Sequence, residues 1–314
     1  MLNELDVIPI TIELPFRLNH VNCFLAEGEN GWIIMDTALN NETARSAWEK
    51  ALQGKEVDTI YISHYHPDHF GYAGGLQKKT GATVWMTKID EENGLNSWEP
   101  GHLDTLIDNY RLLGTPGELS GDMFENTEDF VQLVTPYPNV QKHFEEGQIV
   151  PFGKYEYEVF ETPGHSEGMI VLFNKEKSVL FSTDHILPKI TPNISYWFHG
   201  NPNPLQQFID SLHKIKKLDA EYVIPSHGKP FLDANKRIDE LIAHHDSRLN
   251  VVIDLLNEPL TAFEVCQNMF HKKLTIHESR FALGEALAHL QHLYFKGEIT
   301  KQIVDGVYLF DRKK

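Results

Sequence analysis

Cysteine is scarce in this sequence, and long apolar stretches are missing. Only two cysteines occur among 314 residues, Cys23 and Cys266, and neither has a second metal-ligating residue at a suitable spacing. A disulfide framework is therefore not expected, and a reducing, cytoplasmic setting is favoured. No apolar run approaches the ~20 residues that span a bilayer, and the acidic beginning of the chain differs from the basic start of a signal peptide. We expect no membrane partner.

Positive charge is also in short supply. The chain has 28 Lys and Arg against 45 Asp and Glu, which gives a formal net charge of −17. A surface of that sign repels polyanions, so nucleic acid is not the expected partner, although a local basic groove stays open. The 41% of apolar residues is typical of a globular protein, and the length allows a large domain plus a small one.

The pattern along the chain predicts a catalytic domain over residues 1–232. Short apolar runs separated by turn residues indicate mainly strands there, whereas residues of about 90–145 have helical spacing. We interpret that segment as a helical insertion that forms a lid or a pocket wall, with a surface elaboration or a dimer contact as the alternative. Residues 233–256 are predicted to form a linking helix.

Residues 257–314 are predicted to form a small second domain. Thr261 and Glu264 make a capping box that begins a helix, and a second helix with regularly spaced leucines follows. Asp305-Gly306 lies between two short apolar runs, which is a strong hairpin signal. Helices followed by a β-hairpin are typical of a winged helix, and we favour a packing or homodimer role for it over nucleic-acid binding.

Metal-ligating side chains are concentrated in one short segment, His64-Tyr65-His66-Pro67-Asp68-His69. It supplies four such groups within six residues, directly after an apolar strand. Divalent metals need several neutral imidazoles and carboxylates that converge on one point. A chance histidine-rich surface turn is the alternative, and the position between an apolar strand and a helix argues against it.

Three later turns place further ligand-type residues at strand ends. His165 lies in Thr-Pro-Gly-His-Ser, Asp184 in Ser-Thr-Asp-His, and His227 in Pro-Ser-His-Gly. A lone histidine at a strand end is more often structural than a ligand. Three such turns, added to the first cluster, favour a shared metal site.

The set HYHPDH, TPGHS, STDH and PSHG resembles the metallo-β-lactamase superfamily in order and spacing, over roughly residues 8–232. The resemblance implies an α/β fold, an αβ/βα sandwich with the metals at one edge. It implies that a first metal is bound by His64, His66 and His165. It also implies that a second is bound by Asp68, His69 and His227, with Asp184 bridging the two.

The resemblance further implies a hydrolase with two divalent metal ions. Two cations that share one water lower its pKa toward ~7, which makes a hydroxide available to attack a carbonyl or a phosphorus. Asp68 and Asp184 are the catalytic candidates, and we expect Asp184 to pass a proton to the leaving group. Zinc is the expected metal, with manganese and iron(II) left open because carboxylate-containing dinuclear sites accept them.

Three classes of function remain open for this site. The first is hydrolysis of a small-molecule ester, thioester or lactone, with the insertion roofing the pocket. The second is a metal-dependent single-strand endoribonuclease or phosphodiesterase, which the acidic composition disfavours. The third is a metal-sensing DNA-binding regulator, which a complete hydrolytic ligand set disfavours. Asp184 stands where β-lactamases of the best-known subclass use cysteine, and this argues against antibiotic hydrolysis as the main activity.

Several other residues are weaker candidates. Asp36 is the best candidate to orient a ligand imidazole, and His20 and Asn22 lie near strand ends that face the metals in this interpretation. His185 is a less favoured site residue, and Tyr196-Trp197-Phe198-His199 is expected either to line a pocket or to pack in the core. Surface or packing positions are expected for four histidines of predicted helices: His244, His245, His289 and His292.

Overall fold

The computed structural model describes residues 1–313, with the side chains of all of them except Leu95 and Pro100. The first half contributes a six-stranded mixed sheet in the order β1 to β6, with β3 to β6 parallel. Its strands are β1 Val7–Glu13, β2 His20–Glu27, β3 Trp32–Met35, β4 Val57–Tyr61, β5 Thr83–Met86 and β6 Val140–His143.

A second six-stranded sheet packs face to face on the first. Its strands are β7 Ile149–Phe152, β8 Tyr155–Glu161, β9 Ile170–Asn174, β10 Val179–Thr183, β11 Tyr222–Pro225 and β12 Phe231–Leu232. Alternation along each strand explains the layers, because successive side chains point to opposite faces. In β3, Ile33 and Met35 enter the core between the sheets, whereas Ile34 packs outward under helices.

Helices cover the outer face of each sheet. The first sheet is covered by α1 Glu42–Ala51, α2 Pro67–Phe70 and α3 Ala73–Thr80, with Trp48 fully buried in this layer. The second is covered by α7 Pro204–Lys216, where Phe208 and Leu212 pack on Leu180 of β10. Two sheets between two helical layers are the sandwich that the family resemblance implies.

The insertion contains α4 Lys88–Asn96, α5 Pro100–Leu112 and α6 Gly117–Val134. The predicted range of 90–145 is too generous, because Val140–His143 pairs with β5 as the edge strand of the first sheet. Its side chains are half-buried or exposed. The strand therefore lacks the apolar alternation by which a sequence reveals a strand.

The C-terminal region consists of α8 Ala234–Leu255, α9 Ala262–Met269, α10 Ile276–Phe295, β13 Ile299–Val304 and β14 Val307–Arg312. The capping box of Thr261 and Glu264 is present, and Asp305 and Gly306 form the hairpin turn with positive φ. A single apolar core joins α7, α8, α9 and α10, so this region packs directly on the second sheet's helical layer. The winged-helix interpretation and the three domain boundaries stay predictions. None of the helices in the described part of the chain is long and apolar enough to span a membrane.

Both cysteines are buried and unpaired, as the sequence predicts for packing residues. Cys23 lies in β2 of the first sheet, and Cys266 lies in α9.

Gly71 directly follows α2, and its substitution tests how tightly the segment His64–His69 is packed. A Cβ at this position would lie 2.4 Å from the carbonyl oxygen of Pro67, 2.6 Å from that of Leu133 and 2.9 Å from that of Ala38. Backbone atoms cannot rotate away, so we expect Gly71→Ala to lower the free energy of unfolding by about 1–3 kcal/mol. Urea unfolding at fixed metal content measures the change.

Gly121 supplies the matched control. It lies inside α6 with no atom within 4 Å of an added Cβ. Gly121→Ala is expected to raise the free energy of unfolding by about 0.5–1 kcal/mol, because alanine restricts the unfolded chain. Equal effects of the two substitutions would contradict the packing described for Gly71.

Candidate metal centre

The four sequence segments singled out above meet at one edge of the sandwich. They follow the carboxyl ends of β4, β8, β10 and β11, two of which lie side by side in the second sheet. The structure therefore brings together all seven predicted ligand residues, which form overlapping groups of ligand atoms within 4.8 Å of one another.

Three imidazoles form the first group. His64 Nε2 lies 3.1 Å from His66 Nδ1, which lies 2.8 Å from His165 Nε2. Burial, followed by the neighbouring imidazoles, holds the pKa values of His64 and His66 well below the ordinary range. Both rings are therefore neutral, which is the form that ligates a metal.

One carboxylate and two imidazoles form the second group. Asp68 Oδ2 lies 3.4 Å from His227 Nε2 and 3.7 Å from His69 Nε2. Burial lowers the pKa values of both histidines, but the nearby carboxylates, above all that of Asp184, outweigh burial and raise both values above the ordinary one. The protons held on these two rings are the ones that a bound cation would displace.

Asp184 lies between the two groups, with one carboxylate oxygen toward each. Its Oδ1 is 3.2 Å from His227 Nε2 and 3.5 Å from His69 Nε2, whereas its Oδ2 is 3.3 Å from His165 Nε2. Burial raises the pKa of this carboxyl, but His227 and His69 outweigh burial and hold it well below the usual range. This is the position that the resemblance assigns to a bridging ligand.

Unpaired buried atoms test whether the residues fit a metal. Among the described residues, His69 Nε2, His227 Nε2 and Asp184 Oδ1 are buried without a hydrogen-bond partner. A buried polar atom without a partner costs roughly 1–3 kcal/mol. Asp184 Oδ1 lies 3.5 Å from His69 Nε2 and 3.2 Å from His227 Nε2, so one cation among the three atoms would satisfy all of them. The donor set fits divalent metal ions.

In four of the five imidazoles of the predicted ligand set, the second nitrogen is held by the protein. Such contacts fix the ring and direct the other nitrogen toward the metal. The pairs are His64 Nδ1 with Ser63 Oγ at 2.9 Å, His69 Nδ1 with Asp36 Oδ2 at 2.8 Å, His165 Nδ1 with the Asn193 carbonyl at 2.7 Å, and His227 Nδ1 with the His20 carbonyl at 2.6 Å.

Asp36 lies where the sequence predicts a residue that orients a ligand. Its carboxylate accepts hydrogen bonds from the backbone N–H and the hydroxyl of Ser63, both at 2.8 Å, in addition to contacting His69. Asp36 therefore holds the segment from Ser63 to His69 at both of its ends. Asn22 acts on the other side, where its amide donates to the carbonyl oxygens of Pro225 and Gly228, which flank His227. Asn22 positions the loop and does not face the ligand atoms.

Asp90 is a structural residue of the site that the sequence did not single out. It lies in α4 and accepts hydrogen bonds from Tyr65 N, Ser166 Oγ and Gly168 N at 3.1, 2.7 and 2.6 Å. Burial raises its pKa to about 6, against the effect of these bonds. Through Asp90, the insertion therefore connects the segment that contains His66 to the turn that contains His165. The only sequence signal of Asp90 is that it is an acidic residue in the first turn of the helix that follows β5.

The weaker candidates have mixed outcomes. His185 packs its ring on Phe208, with centroids 5.3 Å apart, and lies outside the ligand groups. Trp197 and His199 line a cavity, whereas Tyr196 and Phe198 pack against the core. The four helical histidines include a buried pair, His245 and His289, whose ring nitrogens lie 3.2 Å apart between α8 and α10.

A cavity of about 400 Å³ opens beside the ligand groups. His66, Asp68, His165 and Asp184 form one side of it. The insertion lines it, which agrees with the interpretation as a pocket wall, through Trp98, His102, Leu106, Tyr110, Thr127 and Phe130. The C-terminal region lines it as well, a contribution that the sequence did not assign to named residues, through Phe270, Leu274, His277, Arg280, Phe281 and Glu285.

Comparison with protein families gives two matches. Residues 17–227 match the model of the metallo-beta-lactamase superfamily, and residues 249–313 match the model described as metallo-beta-lactamase-like, C-terminal domain. The description of the second model does not mention a winged helix, so that interpretation is not supported by it.

Similar proteins match over nearly the whole chain. A relative from Bacillus subtilis named probable metallo-hydrolase YqjP is 25% identical, covering 94% of both chains. A Burkholderia ambifaria structure titled beta-lactamase domain protein is 32% identical with a TM-score of 0.87, covering 98% of this chain and 92% of that one. The Thermus thermophilus structure of metallo-beta-lactamase family protein TTHA1429 is 29% identical with a TM-score of 0.86, covering 98% and 99%.

Asp36 gives a test of the bracing around the ligands. Asp36→Asn removes the negative charge that faces His69 Nδ1, and we expect metal affinity to fall about 10- to 100-fold, the usual cost of losing such a partner. Competition with a chromogenic chelator measures the affinity for zinc. Asp58→Asn changes an exposed carboxylate of β4 and is the matched control, expected to leave affinity unchanged. An unchanged affinity in Asp36→Asn would contradict the orienting role.

Proposed function

The chain belongs to the metallo-beta-lactamase superfamily and is a metallo-hydrolase, and we propose that it cleaves an ester, thioester or lactone bond of a small molecule. The family supports the hydrolytic chemistry, whereas the bond and the substrate class are our proposal. One observation carries that proposal, namely the apolar cavity that begins at the ligand groups.

The proposed site holds two divalent ions. His64, His66 and His165 would hold one ion, and Asp68, His69 and His227 the other, with Asp184 shared between them. Bound divalent ions supply a Lewis acid for the scissile bond and lower the pKa of the attacking water. Zinc is proposed because it suits imidazole-rich donor sets, and manganese or iron(II) are the alternatives for a set with carboxylates.

The two carboxylates are proposed to handle protons. Asp68 and Asp184 both line the cavity in which a bound substrate would lie. Asp184 stays ionised because its pKa is held low, chiefly by His227 and His69 against the effect of burial. We assign to it the transfer of a proton from the attacking water to the leaving group.

The walls of the cavity support an acyl substrate. A volume of about 400 Å³ lies within the range of small-molecule sites, roughly 300–1,000 Å³. Aromatic and aliphatic side chains dominate the lining, and the insertion and the C-terminal region supply many of them. Each methylene group buried against such a wall contributes about 0.8 kcal/mol to binding. An alkyl or aryl chain attached to the scissile carbonyl fits this environment.

A nucleic-acid substrate finds less support. The described basic residues that line the cavity are Arg17, Lys272 and Arg280, in a chain with a net charge of −17. A strand of nucleic acid needs a row of cations that follows its phosphates. Nuclease or phosphodiesterase activity is therefore an outcome to be tested and not the proposal.

Asp68→Ala tests the hydrolytic site. Loss of this carboxylate removes one donor of the second group, so we expect one equivalent of metal to be lost. We expect kcat/KM to fall by more than about 100-fold, which exceeds the usual effect of losing a residue that only orients a metal ligand. Metal analysis and turnover of p-nitrophenyl esters, a thioester, a lactone, bis-p-nitrophenyl phosphate and single-stranded RNA are the measurements.

Asp104→Ala is the matched control, because Asp104 is an exposed acid of α5. Unchanged metal content and activity in Asp68→Ala would overturn the dinuclear hydrolytic site. Turnover of the phosphodiester or RNA, without turnover of any ester, thioester or lactone, would replace the proposed substrate class.

Leu106→Trp tests the acyl cavity. Leu106 is buried in α5 and lines the cavity, so the larger side chain reduces its volume. Wild-type kcat/KM is expected to rise from p-nitrophenyl acetate to the hexanoate by about 10-fold or more, given about 0.8 kcal/mol for each buried methylene. In the variant, the ratio of kcat/KM for the hexanoate to kcat/KM for the acetate is expected to fall close to one. The variant's kcat/KM for the acetate is expected to stay near the wild-type value. A ratio that is the same in both proteins would contradict an acyl chain in this cavity.

A further inference from the structure

The wall of the cavity contains a buried cation that the hydrolytic chemistry does not use. Arg280 of α10 is 8% exposed and lines the cavity. Its guanidinium lies 5.8 Å from the ring centre of Phe130 and 5.9 Å from that of Phe281. Nη1 donates to the side-chain oxygen of Asn126 at 3.2 Å, and Nε is buried without a hydrogen-bond partner.

Arg280 differs from the other cations of the cavity in having no carboxylate partner. Arg17 and Lys272 are largely exposed and lie 3.0 and 3.6 Å from the carboxylate of Glu278. Within residues 1–313, no carboxylate forms an ion pair with Arg280. Glu285 also lines the cavity, but its carboxylate accepts from Asn193 at 3.4 Å.

An unpaired guanidinium in such a place is costly. Burial lowers the pKa of Arg280, with only the neighbouring Tyr110 opposing the shift. Arginine nevertheless keeps its proton, so the charge stays and its desolvation is unfavourable. Aromatic faces, the amide oxygen of Asn126 and the hydroxyl of Tyr110 compensate only in part, because none of them carries the negative charge of a carboxylate.

A second unpaired polar group lies close to this cation. His277 also lines the cavity, and its Nδ1 is buried without a partner. The ring is stacked against Phe16 and against Phe130, with centroid distances of 4.7 and 5.2 Å. Burial, followed by the charge of Arg280, lowers its pKa to about 4, so the ring is neutral at neutral pH. Positions 277 and 280 are three apart on one helix, which places the two side chains on one face.

We propose that Arg280 binds a carboxylate group of the substrate, assisted by His277, while the scissile bond lies at the ligand groups. The substrates are then acyl compounds that carry a second, anionic end. The inference rests on the proposed hydrolase function and adds a specificity-determining residue to it. The orphaned Nε–H of a buried guanidinium is the observation that carries the proposal.

Charge balance favours a carboxylate over a phosphate. One buried cation neutralises one negative charge, whereas a phosphate monoester carries about −1.5 to −2 near pH 7 and offers three oxygens. His277 is neutral, and both other cations of the cavity are already paired with Glu278. A planar carboxylate also matches the fork of donors on guanidinium.

Two esters of equal length test the proposal on the metal-loaded full chain. Mono-p-nitrophenyl adipate carries a free carboxylate, and p-nitrophenyl hexanoate is its neutral counterpart. We expect wild type to prefer the adipate ester by about 10-fold or more in kcat/KM, since a hydrogen bond to a charged group contributes about 1.5–3 kcal/mol. Arg280→Gln is expected to remove the preference by raising KM for the adipate ester. Its kcat/KM for the hexanoate ester is expected to stay within about 3-fold of the wild-type value. An ester with a terminal phosphate in place of the carboxylate is expected to react more slowly than the adipate ester.

Two further variants separate recognition from structure. Arg280→Lys keeps the charge and is expected to keep part of the preference. Arg248→Gln makes the same change in a half-buried arginine of α8 that lies 4.8 Å from the ring of Phe270, and it is expected to leave the ratio unchanged. Equal losses on both esters in Arg280→Gln, or no preference in wild type, would overturn the carboxylate site.

A binding measurement keeps this proposal separate from the hydrolase proposal. Calorimetry with adipate monoamide and hexanamide compares a carboxylate with a neutral group without turnover. Wild type is expected to bind the monoamide at least about 10-fold more tightly, and Arg280→Gln to lose that difference. If neither ester is cleaved, the ester-hydrolase proposal fails while calorimetry still decides the role of Arg280. Monoamide binding that is unaffected by Arg280→Gln would overturn the carboxylate site.

Discussion

The structure depends on the convergence of imidazole nitrogens and carboxylate oxygens in a small buried volume. Seven such side chains meet at one sheet edge, and three of their atoms lack any hydrogen-bond partner among the described residues. Such an arrangement is unfavourable by itself, because these polar atoms are buried away from water without hydrogen-bond partners. Cations reverse that balance. The arrangement is therefore one that stability alone would not select, and a metal-dependent function accounts for it.

The surrounding fold holds these groups in place. Asp36 and Asn22 brace loops of the first and second sheets, and Asp90 joins two ligand loops through three hydrogen bonds. Asn193 connects the ring of His165 to α10, because its side chain contacts Glu285. The C-terminal region is thus linked both to the first ligand group and to the cavity wall. Substrate selection and metal geometry share the same structural supports.

The cavity wall adds an unpaired charge to the unpartnered atoms of the ligand groups. The ligand groups leave His69 Nε2, His227 Nε2 and Asp184 Oδ1 without hydrogen-bond partners, whereas Arg280 presents a positive charge without a carboxylate partner in the described structure. Apolar side chains dominate the cavity lining, and electrostatic interactions are stronger in such surroundings than in water. A substrate with a polarised carbonyl at one end and an anion at the other complements the whole cavity. The two unpaired features are in this way parts of one binding arrangement.

The sequence by itself predicted the main elements of the fold and indicated seven ligand-type residues. HYHPDH is local and the three later turns lie at predicted strand ends, so residue type and position made these residues candidates, whereas the assignment of each one to a metal is what the family resemblance implies. The sequence did not predict the edge strand Val140–His143, because its side chains are largely exposed and show no apolar alternation. Only the tertiary structure decided the roles of Asp90 and Arg280. Their partners are distant in the chain, as Asn126 lies 154 positions from Arg280, and whether a charge is paired depends on which surfaces meet in space.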